Sequence, residues 1–498
     1  MPDLQVLLYT CLGAVLAISF SRWVRDPLRT IPTVGGPSLP FISLLGALNF
    51  MVRTDAVLQE GYNKYSRGPF KVAMFDRWVV FVSNRDAVED VGRRPDGELS
   101  VSESTKELFE TAYTVVKETN NDQWHVDIIR SKFSRDLSSI VLNIVDELPL
   151  AVVECFQGTG GRFDGDIKAS VQKLVARMSG RVCVGVPTCR SSEYTVLVIR
   201  SSESIMKDAF VLKVFPDILK STVARLVTST RSCMAAAASY IEEIYQSRRE
   251  QSETDAQEKP NDVLQWFIDG APARASDEDI IHRVLAIHLT AIHTSSTATT
   301  QALSDLASYP EYAEVIRAEV EAVVAAEGWT KAAIDNMRKL DSFLKESQRC
   351  NCAVPFVSLR KAMDNLTLTD GTFLPKGTVV AAVASPIHHD ASLYPSPDTF
   401  DPFRFSSMFD AEGPNVTQRF THTSARWLTF GYGRHACPGR FFAADMVKTV
   451  VAHMVLNYYL KIQRDTDGMS GGLGFGLKPS AKLGGKVIME RRKAETGT

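Results

Sequence analysis

A run of about 34 residues without proline or glycine, from Ser276 to Tyr309, constrains the fold of this chain most strongly. The run begins with Ser276 as a candidate helix N-cap, carries Asp279 three residues later, and stops before Pro310. At 1.5 Å per residue, a helix of this length would be on the order of 50 Å long, enough to cross a whole domain. The sequence therefore predicts a helical body built around one long central helix.

Two segments predict a smaller β part. Residues 70–84 (FKVAMFDRWVVFVSN) predict two strands around a turn at Asp76 and Arg77. Residues 367–383 (TLTDGTFLPKGTVVAAV) place two glycine-containing turn signals between β-rich runs. The polar run 246–262 predicts a surface loop, and the chain has no internal repeat. We expect a fold that is mainly α with a small β part (α+β).

Composition indicates a folded globular chain. Of its 498 residues, 45% are hydrophobic and 23% are charged, which is ordinary for a globular protein. A formal net charge of -2 gives no overall attraction to nucleic acid, so we expect no nucleic-acid partner. Eight scattered cysteines fit a reducing compartment, and we expect no disulfides.

The N-terminal segment differs from the rest of the chain. Leu4 to Phe20 form a 17-residue stretch without a charge, at the short end of what spans a bilayer. Asp3 precedes it and basic residues follow it, which places the N-terminus outside the cytosol and the remainder inside. A cleaved signal peptide is the alternative, but the basic residues flank the wrong end and no A-x-A site follows. We predict a retained transmembrane anchor.

The segment FGYGRHACPG, 430–439, holds one cysteine, Cys437, among three glycines. Glycine permits positive φ and close approach of backbone N–H groups to the sulfur. These donors, with Arg434 and His435, would favour a thiolate, and a helix predicted from residue 440 would add positive potential. A small buried structural thiol is the alternative. The loop composition favours a metal-bound thiolate.

Two further motifs supply charges that can pair. In ESQR, Glu346 and Arg349 are one turn apart on a predicted helix and would lie on one face. In FDPFRF, 400–405, Arg404 stands among aromatic residues and needs a carboxylate partner if it is buried. Neither motif has a reason to accompany a merely buried cysteine.

In this order and spacing, the three motifs resemble those of the cytochrome P-450 family. The family's cysteine-loop pattern, Phe-x-x-Gly-x-basic-x-Cys-x-Gly, is matched at Phe430, Gly433, His435, Cys437 and Gly439. Its buried charge triad is matched at Glu346, Arg349 and Arg404. The resemblance covers essentially the whole chain. It implies the P-450 fold, a triangular helical body with a long central helix, preceded by one N-terminal transmembrane helix.

The resemblance also implies haem b as the cofactor, with Cys437 as the axial ligand of the iron. Further cofactor-binding residues would be Phe430, Gly431, His435, Arg130 and Arg360, the last three at the haem propionates. His435 stands where the family usually has arginine. Val126 occupies the position of an expected tryptophan, so the roles of the neighbouring Trp124 and His125 stay open.

The central helix would carry the oxygen chemistry. In its segment LTAIHTSSTATT, 289–300, Thr294 replaces the family's acid and Ser295 its threonine. The resemblance implies these two as the catalytic residues, with Ser295 hydrogen-bonding oxygen and a water chain. Without a local carboxylate, protons would come through water or His293. The string AIHTSS resembles fungal terpenoid and indole-terpenoid oxidases.

The implied activity is that of a haem-thiolate monooxygenase, which inserts one oxygen atom of O2 into a lipophilic substrate. Electrons would come from NADPH through an NADPH-cytochrome P-450 reductase, with cytochrome b5 as a further candidate donor. The reductase would dock on a basic patch formed by Lys132, Arg135, Arg434, Arg440 and Lys448. Two alternatives remain: a haem-thiolate isomerase or dehydratase that needs no reductase, and a non-catalytic haem-binding protein.

The expected organisation follows from the anchor and the resemblance. Residues 1–21 would be the transmembrane anchor, 22–41 a basic and proline-rich connector, and 42–498 the haem-thiolate catalytic domain. We expect a single-pass protein of the endoplasmic reticulum membrane with its catalytic domain in the cytosol. Substrate would contact variable segments around 99–116, 194–214 and 354–358.

Overall fold

The computed structural model describes residues 20–21, 23–65, 68–115, 123–252, 259–413, 415–464 and 485–492. Helices make up most of this part of the chain. They are α1 (Ser43–Lys64), α2 (Arg85–Arg93), α3 (Val101–Leu108), α4 (Thr111–Thr114), α5 (Trp124–Arg135), α6 (Leu137–Cys155), α7 (Ile167–Cys183), α8 (Ser192–Lys213), α9 (Asp217–Val227), α10 (Thr230–Ser252), α11 (Val263–Gly270), α12 (Asp277–Ser308), α13 (Pro310–Glu327), α14 (Lys331–Asn336), α15 (Arg338–Cys350), α16 (Ser385–His388), α17 (Arg404–Glu412) and α18 (Arg440–Asn457).

The strands are short and form three sheets. They are β1 (Thr33–Val34), β2 (Phe70–Ala73), β3 (Trp78–Val82), β4 (Leu99–Ser100), β5 (Arg162–Phe163), β6 (Phe356–Ala362), β7 (Leu366–Thr367), β8 (Phe373–Leu374), β9 (Val379–Val383), β10 (Tyr458–Arg464) and β11 (Gly485–Arg491). The largest sheet has the strand order β1-β2-β3-β9-β6-β4, and the others are β10-β11-β5 and β7-β8.

The predicted β part is confirmed. The antiparallel pair β2 and β3 turns at Asp76 and Arg77, where the Met74 N–H donates to the Arg77 carbonyl at 2.8 Å. In the second segment, β7 and β8 form a hairpin and β9 follows. Strand β9 pairs with β6, the strand that follows α15 in the chain.

The predicted central helix is α12, which spans 32 residues. The Ser276 hydroxyl accepts a hydrogen bond from the Asp279 N–H at 3.1 Å, as an N-cap does. Ser308 ends the helix before Pro310, whose ring cannot continue it. Most of its side chains are buried, so the helix forms the centre of the helical core.

Two hydrophobic cores meet at the cysteine loop. One core is formed by the helices around α12, and the other by the largest sheet with α1 and α2. Phe430 packs against the helical core, whereas Tyr432 packs against the sheet core. The loop therefore lies where the two cores adjoin.

Two sequence expectations differ from the structure. The first part of the loop predicted for 246–262 is helical, because α10 continues to Ser252 through residues that favour helix. The predicted connector is partly folded: Pro27–Thr30 form a 3-10 turn, and β1 pairs with β2. Proline and glycine exclude a long helix there but not these short elements.

No helix in the part of the chain that the structure describes is long and apolar enough to cross a bilayer. The predicted anchor, residues 1–21, lies outside the described residues except for positions 20 and 21. The anchor therefore stays a prediction.

Candidate functional site

The cysteine loop is closed by a backbone hydrogen bond from the Cys437 N–H to the Phe430 carbonyl, 2.8 Å long. Gly431 and Gly433 have φ of +70° and +78°, the left-handed region that glycine permits. A Cβ on Gly433 would lie 2.1 Å from the Gly92 carbonyl oxygen, so the loop packs tightly on α2. Gly439 differs from expectation, since its φ is -90° and a Cβ there would make only ordinary contacts.

Cys437 is partly exposed as a residue, but protein atoms crowd its sulfur, and this desolvation raises the pKa of the thiol. The Gly439 N–H and the Arg440 charge offset only part of the effect. In the chain by itself, desolvation therefore outweighs the loop donors that favour a thiolate. A bound metal ion removes this difficulty, since a coordinating thiol is deprotonated.

The structure brings the predicted charge triad together. Arg349 pairs bidentately with Glu346, through two hydrogen bonds of 2.8 Å, and Arg404 Nε lies 3.1 Å from Glu346 Oε2. Both Glu346 and Arg349 are fully buried. Arg404 Nη1 also donates to the Pro395 carbonyl at 2.6 Å, and the Asp401 N–H donates to Glu346. These bonds fix α15 to the segment that precedes α17.

His388 connects this triad to the cysteine loop. Its carbonyl accepts from Arg349 Nη1 at 2.8 Å, and its ring Nε2 accepts from the Leu428 N–H at 3.1 Å. His388 is fully buried and stacks on Trp427 at 4.9 Å between ring centroids. Sequence reasoning missed this residue, because a histidine in a short segment carries no local signal of such a contact.

Arg360 and His435 form a cluster of unpaired donors beside the loop. Arg360 is 3% exposed, and its Nε and Nη2 have no hydrogen-bond partner among the described residues. Burial lowers the pKa of Arg360 to about 10. His435 Nε2 lies 3.2 Å from Asp96 Oδ1 without hydrogen-bond geometry, and burial and the Arg360 charge lower the pKa of His435.

Arg130 belongs to the same positive cluster. Burial is the main cause that lowers the pKa of His435 and of Arg440, and the Arg130 charge adds to it. The Arg130 side chain is about half exposed and lies 3.7 Å from Asp127. Trp124 and His125 contact Arg283 of α12. The Arg283 guanidinium lies 4.9 Å from the Trp124 ring centroid, and its Nη1 lies 2.6 Å from His125 Nδ1.

These residues fit the cofactor that the resemblance implies. Haem carries an iron that a cysteine sulfur can ligate and two carboxylates that accept hydrogen bonds. Arg360 carries a buried charge with two nitrogens that lack acceptors, and His435 Nε2 is a buried polar atom without a partner, both of which are costly. A haem carboxylate would satisfy both, and Cys437 would hold the iron.

The central helix presents one open stripe. Thr290 and Thr294 are exposed and Ala291 is half-buried, whereas Ser295 is only 5% exposed. Neighbouring helix positions point about 100° apart, so Thr294 lies on this exposed stripe while the side chain of Ser295 points toward the interior. His293 Nε2 is buried without a partner among the described residues.

Lys448 does not belong to the basic surface patch that the sequence predicted. Lys448 is 2% exposed and its Nζ lies 3.1 Å from Asp341 Oδ1, so this lysine belongs to the core. Arg434 is exposed, while Arg440 Nη1 donates to the Cys437 carbonyl at 3.1 Å. The sequence could not separate the buried lysine from the surface cations, since its partner Asp341 is 107 residues away in the chain.

Comparisons with known proteins show the family of this chain. A family model described as Cytochrome P450 matches residues 35–481. The chain is 39% identical over 501 residues to cytochrome P450 monooxygenase 151 of Postia placenta, covering 99% of this chain and 100% of that relative. It is 36% identical to cytochrome P450 monooxygenase CYP512U6 of Ganoderma lucidum, covering 93% and 92%. It is also 30% identical to cytochrome P450 monooxygenase paxQ of Penicillium paxilli, covering 91% and 90%. This chain belongs to the cytochrome P450 family of monooxygenases.

Proposed function

We propose that this chain inserts one oxygen atom of O2 into a C–H bond of a lipophilic substrate, with electrons delivered from NADPH by a reductase. The observation that carries the proposal is the combination of Cys437 with the unpaired buried donors of Arg360 and His435. That combination suits an iron cofactor with carboxylates. Haem bound there supplies the activation of O2.

The chain's own contribution lies on α12. Substrate would rest against the open stripe that contains Thr290, Ala291 and Thr294. Between Asp279 and Asp305 the helix has no carboxylate, so no acid on this stretch can deliver protons. The hydroxyls of Thr294 and Ser295 would orient water that carries them, and the unpaired Nε2 of His293 is a further proton carrier.

The proposed substrate class is a terpenoid or indole-terpenoid intermediate of fungal secondary metabolism. The short string AIHTSS and the fungal origin of the relatives support this class. The proposal also includes the predicted anchor at 1–21, a location in the endoplasmic reticulum membrane, and reductase or cytochrome b5 as electron donors. Fractionation of cells that express the full chain tests the location.

The proposed activity is tested with the purified full chain, a reductase and NADPH, offered a panel of terpenoid and indole-terpenoid precursors. Spectral shifts on substrate addition and oxygenated products support it. Cys437→Ala should abolish the carbon monoxide spectrum of a haem thiolate, whereas Cys189→Ala, a change at another buried cysteine, should leave it intact. A normal spectrum in Cys437→Ala would overturn the haem assignment.

One observation favours a second candidate, a haem-thiolate isomerase or dehydratase that needs no reductase. It is the missing carboxylate on α12, because rearrangement of an oxidised substrate needs no proton delivery to oxygen. The two functions separate cleanly. Product formation that persists without NADPH and reductase supports the second candidate, and strict dependence on both supports the first. Haem binding without any turnover across the panel would instead indicate a non-catalytic haem-binding protein.

A further inference from the structure

Strand β6 contains an irregularity at Ser358. Against β9, Val357 pairs with Ala382 and Arg360 pairs with Val380, so β6 carries one extra residue. Ser358 lies in this bulge with a φ of +58°. The left-handed region is unfavourable for serine, and such strain is commonly retained where it aims a side chain.

The Ser358 hydroxyl is buried and has no hydrogen-bond partner among the described residues. A serine hydroxyl rotates freely and normally finds a partner, so an unpaired one in the interior costs stability. Ser358 therefore carries two unfavourable features, a strained backbone and an unsatisfied hydroxyl. Neither has a compensating contact within the described chain.

The position of Ser358 suggests what the hydroxyl serves. Its Oγ lies 4.0 Å from the point that a Cβ on Gly431 would occupy, and the His435 carbonyl oxygen lies 3.9 Å from that point. Ser358 thus adjoins the cysteine loop. Arg360 follows two residues later with two unpaired nitrogens, and His435 supplies another. All of these side-chain groups can donate hydrogen bonds.

We propose that the Ser358 hydroxyl donates a hydrogen bond to a haem carboxylate that Arg360 and His435 also hold, and that the bulge and left-handed backbone aim it there. The inference rests on the proposed function, because it requires bound haem. A carboxylate accepts several hydrogen bonds at once, so a neutral hydroxyl can join a guanidinium and an imidazole N–H. Ser358 is then a positioning residue for the cofactor.

A contact with substrate is the competing role, since residues 354–358 were expected to line the substrate pocket. The surroundings favour the carboxylate. A lipophilic substrate offers few acceptors, whereas the buried and unpaired guanidinium nitrogens of Arg360 require an anion. The experiment must therefore measure haem retention and substrate binding separately.

The test compares Ser358→Ala, which removes the hydroxyl, with Ser358→Gly, which also relieves the backbone strain. Haem-loaded full-length protein is mixed with excess apomyoglobin without substrate, and the rate of haem transfer is followed by absorbance. Both variants should transfer haem about tenfold faster than the wild type, because each loses one hydrogen bond to a charged group. Ser358→Gly should also be more stable than Ser358→Ala when haem-free.

Ser83→Ala is the matched control, because its hydroxyl is also buried and unpaired but lies at the end of β3. Its transfer rate should equal that of the wild type. Unchanged transfer in both Ser358 variants overturns the inference, and weaker substrate binding in the same variants would assign the hydroxyl to substrate. A wild type that fails to hold haem would refute the proposed function itself, which is a distinguishable result.

Discussion

The ammonium group of Lys220 lies 2.7 Å from Oε1 of Glu110, and Lys220 is the only buried residue of α9. The large apolar residues of this helix point outward, with Ile218 and Leu226 at least 80% exposed. Lys213, at the end of α8, lies 3.6 Å from the same carboxylate oxygen. Ion pairs, and not apolar packing, therefore hold α9 against the start of α4, where Glu110 is the N-cap residue.

Glu110→Gln should loosen α9. The change leaves Lys220 and Lys213 without their shared carboxylate, and we expect the free energy of unfolding to fall by on the order of 2 kcal/mol. Hydrogen exchange of the α9 amides should accelerate more than that of α12. Asp217→Asn is the control, because Asp217 also contacts Lys220 but is 93% exposed, and exposed pairs contribute about 0–1 kcal/mol. Equal effects of the two variants would contradict this account.

Glu346→Gln should destabilise the protein strongly. The substitution leaves Arg349 and Arg404 buried without a counter-charge, which typically costs about 3–5 kcal/mol. Urea unfolding of the purified variant measures the loss. Because His388 connects Arg349 to the cysteine loop, the variant should also lose haem at a lower urea concentration than the wild type.

The control for this variant is Asp364→Asn. Asp364 pairs with Lys376 at 3.2 Å, but the two side chains are 81% and 69% exposed. The expected change is below about 1 kcal/mol, because solvent screens an exposed pair. A Glu346 variant no less stable than this control would show that the triad does not hold the fold.

Gly433→Ala should disrupt the cysteine loop, while Gly439→Ala should be tolerated sterically. A Cβ at 433 would clash with the Gly92 carbonyl and would require a φ of +78°, whereas the nearest atom to a Cβ at 439 is 3.7 Å away. We expect a loss of at least about 1–3 kcal/mol in the first variant only. Thermal unfolding of the two haem-loaded variants checks this. Similar losses of stability in both variants would indicate that neither the positive φ nor the close contact with Gly92 requires glycine at position 433.

Features with local signals were predictable from the sequence. The bounds of α12 follow from Ser276 and Pro310, and the turn between β2 and β3 follows from the residues at 76 and 77. The pairing of Glu346 with Arg349 was predictable from their spacing, and Arg404 was predictable as a cation that needs a carboxylate, while the resemblance implied that Glu346 is this carboxylate. In each case the deciding interaction involves neighbours in the chain or a charge that cannot be buried alone.

Features that depend on distant contacts were not predictable. The link from His388 to Leu428, the left-handed Ser358 and the burial of Lys448 each arise from packing between elements far apart in sequence. The pKa of Cys437 shows the same limit. The donors around the sulfur are visible in the sequence, but the desolvation that outweighs them depends on the folded surroundings.

Asp445 should make stability depend on pH. It is 5% exposed on α18, its Oδ2 has no hydrogen-bond partner among the described residues, and Lys331 Nζ lies 3.4 Å away. Burial raises the pKa of Asp445 from 3.8 to about 6. The folded state therefore binds the proton more tightly than the unfolded state, so this group's contribution is lost as pH rises from about 4 to 6.

Asp445→Asn should accordingly raise the free energy of unfolding at pH 7 by on the order of 2 kcal/mol, with little change at pH 4. The buried histidines His288 and His453, whose pKa is about 4, act in the opposite direction but are common to both proteins. Asp335→Asn, at a half-exposed partner of Lys331, should show a smaller pH-dependent difference, because the Asp335 charge is only one of the causes that raise the pKa of Asp445. Urea unfolding at both pH values measures the effect, and a variant less stable at pH 7 would contradict it.

The two hydroxyl residues of α12 should differ in their effects on turnover. Thr294 lies on the open stripe, so Thr294→Ala should alter the water nearest the substrate, while the 5% exposed Ser295 acts from a more enclosed position. If the hydroxyls orient proton-carrying water, each alanine variant should lower product formation about tenfold or more, with oxygen consumption less affected.

Thr294→Asp places a carboxylate at the position of the family's acid and should raise the ratio of product to oxygen consumed. Thr290→Val is the control, because it removes a hydroxyl from the same stripe one turn earlier. If only Thr290→Val changed the ratio of product formed to oxygen consumed, the assignment of Thr294 and Ser295 to proton delivery would be refuted.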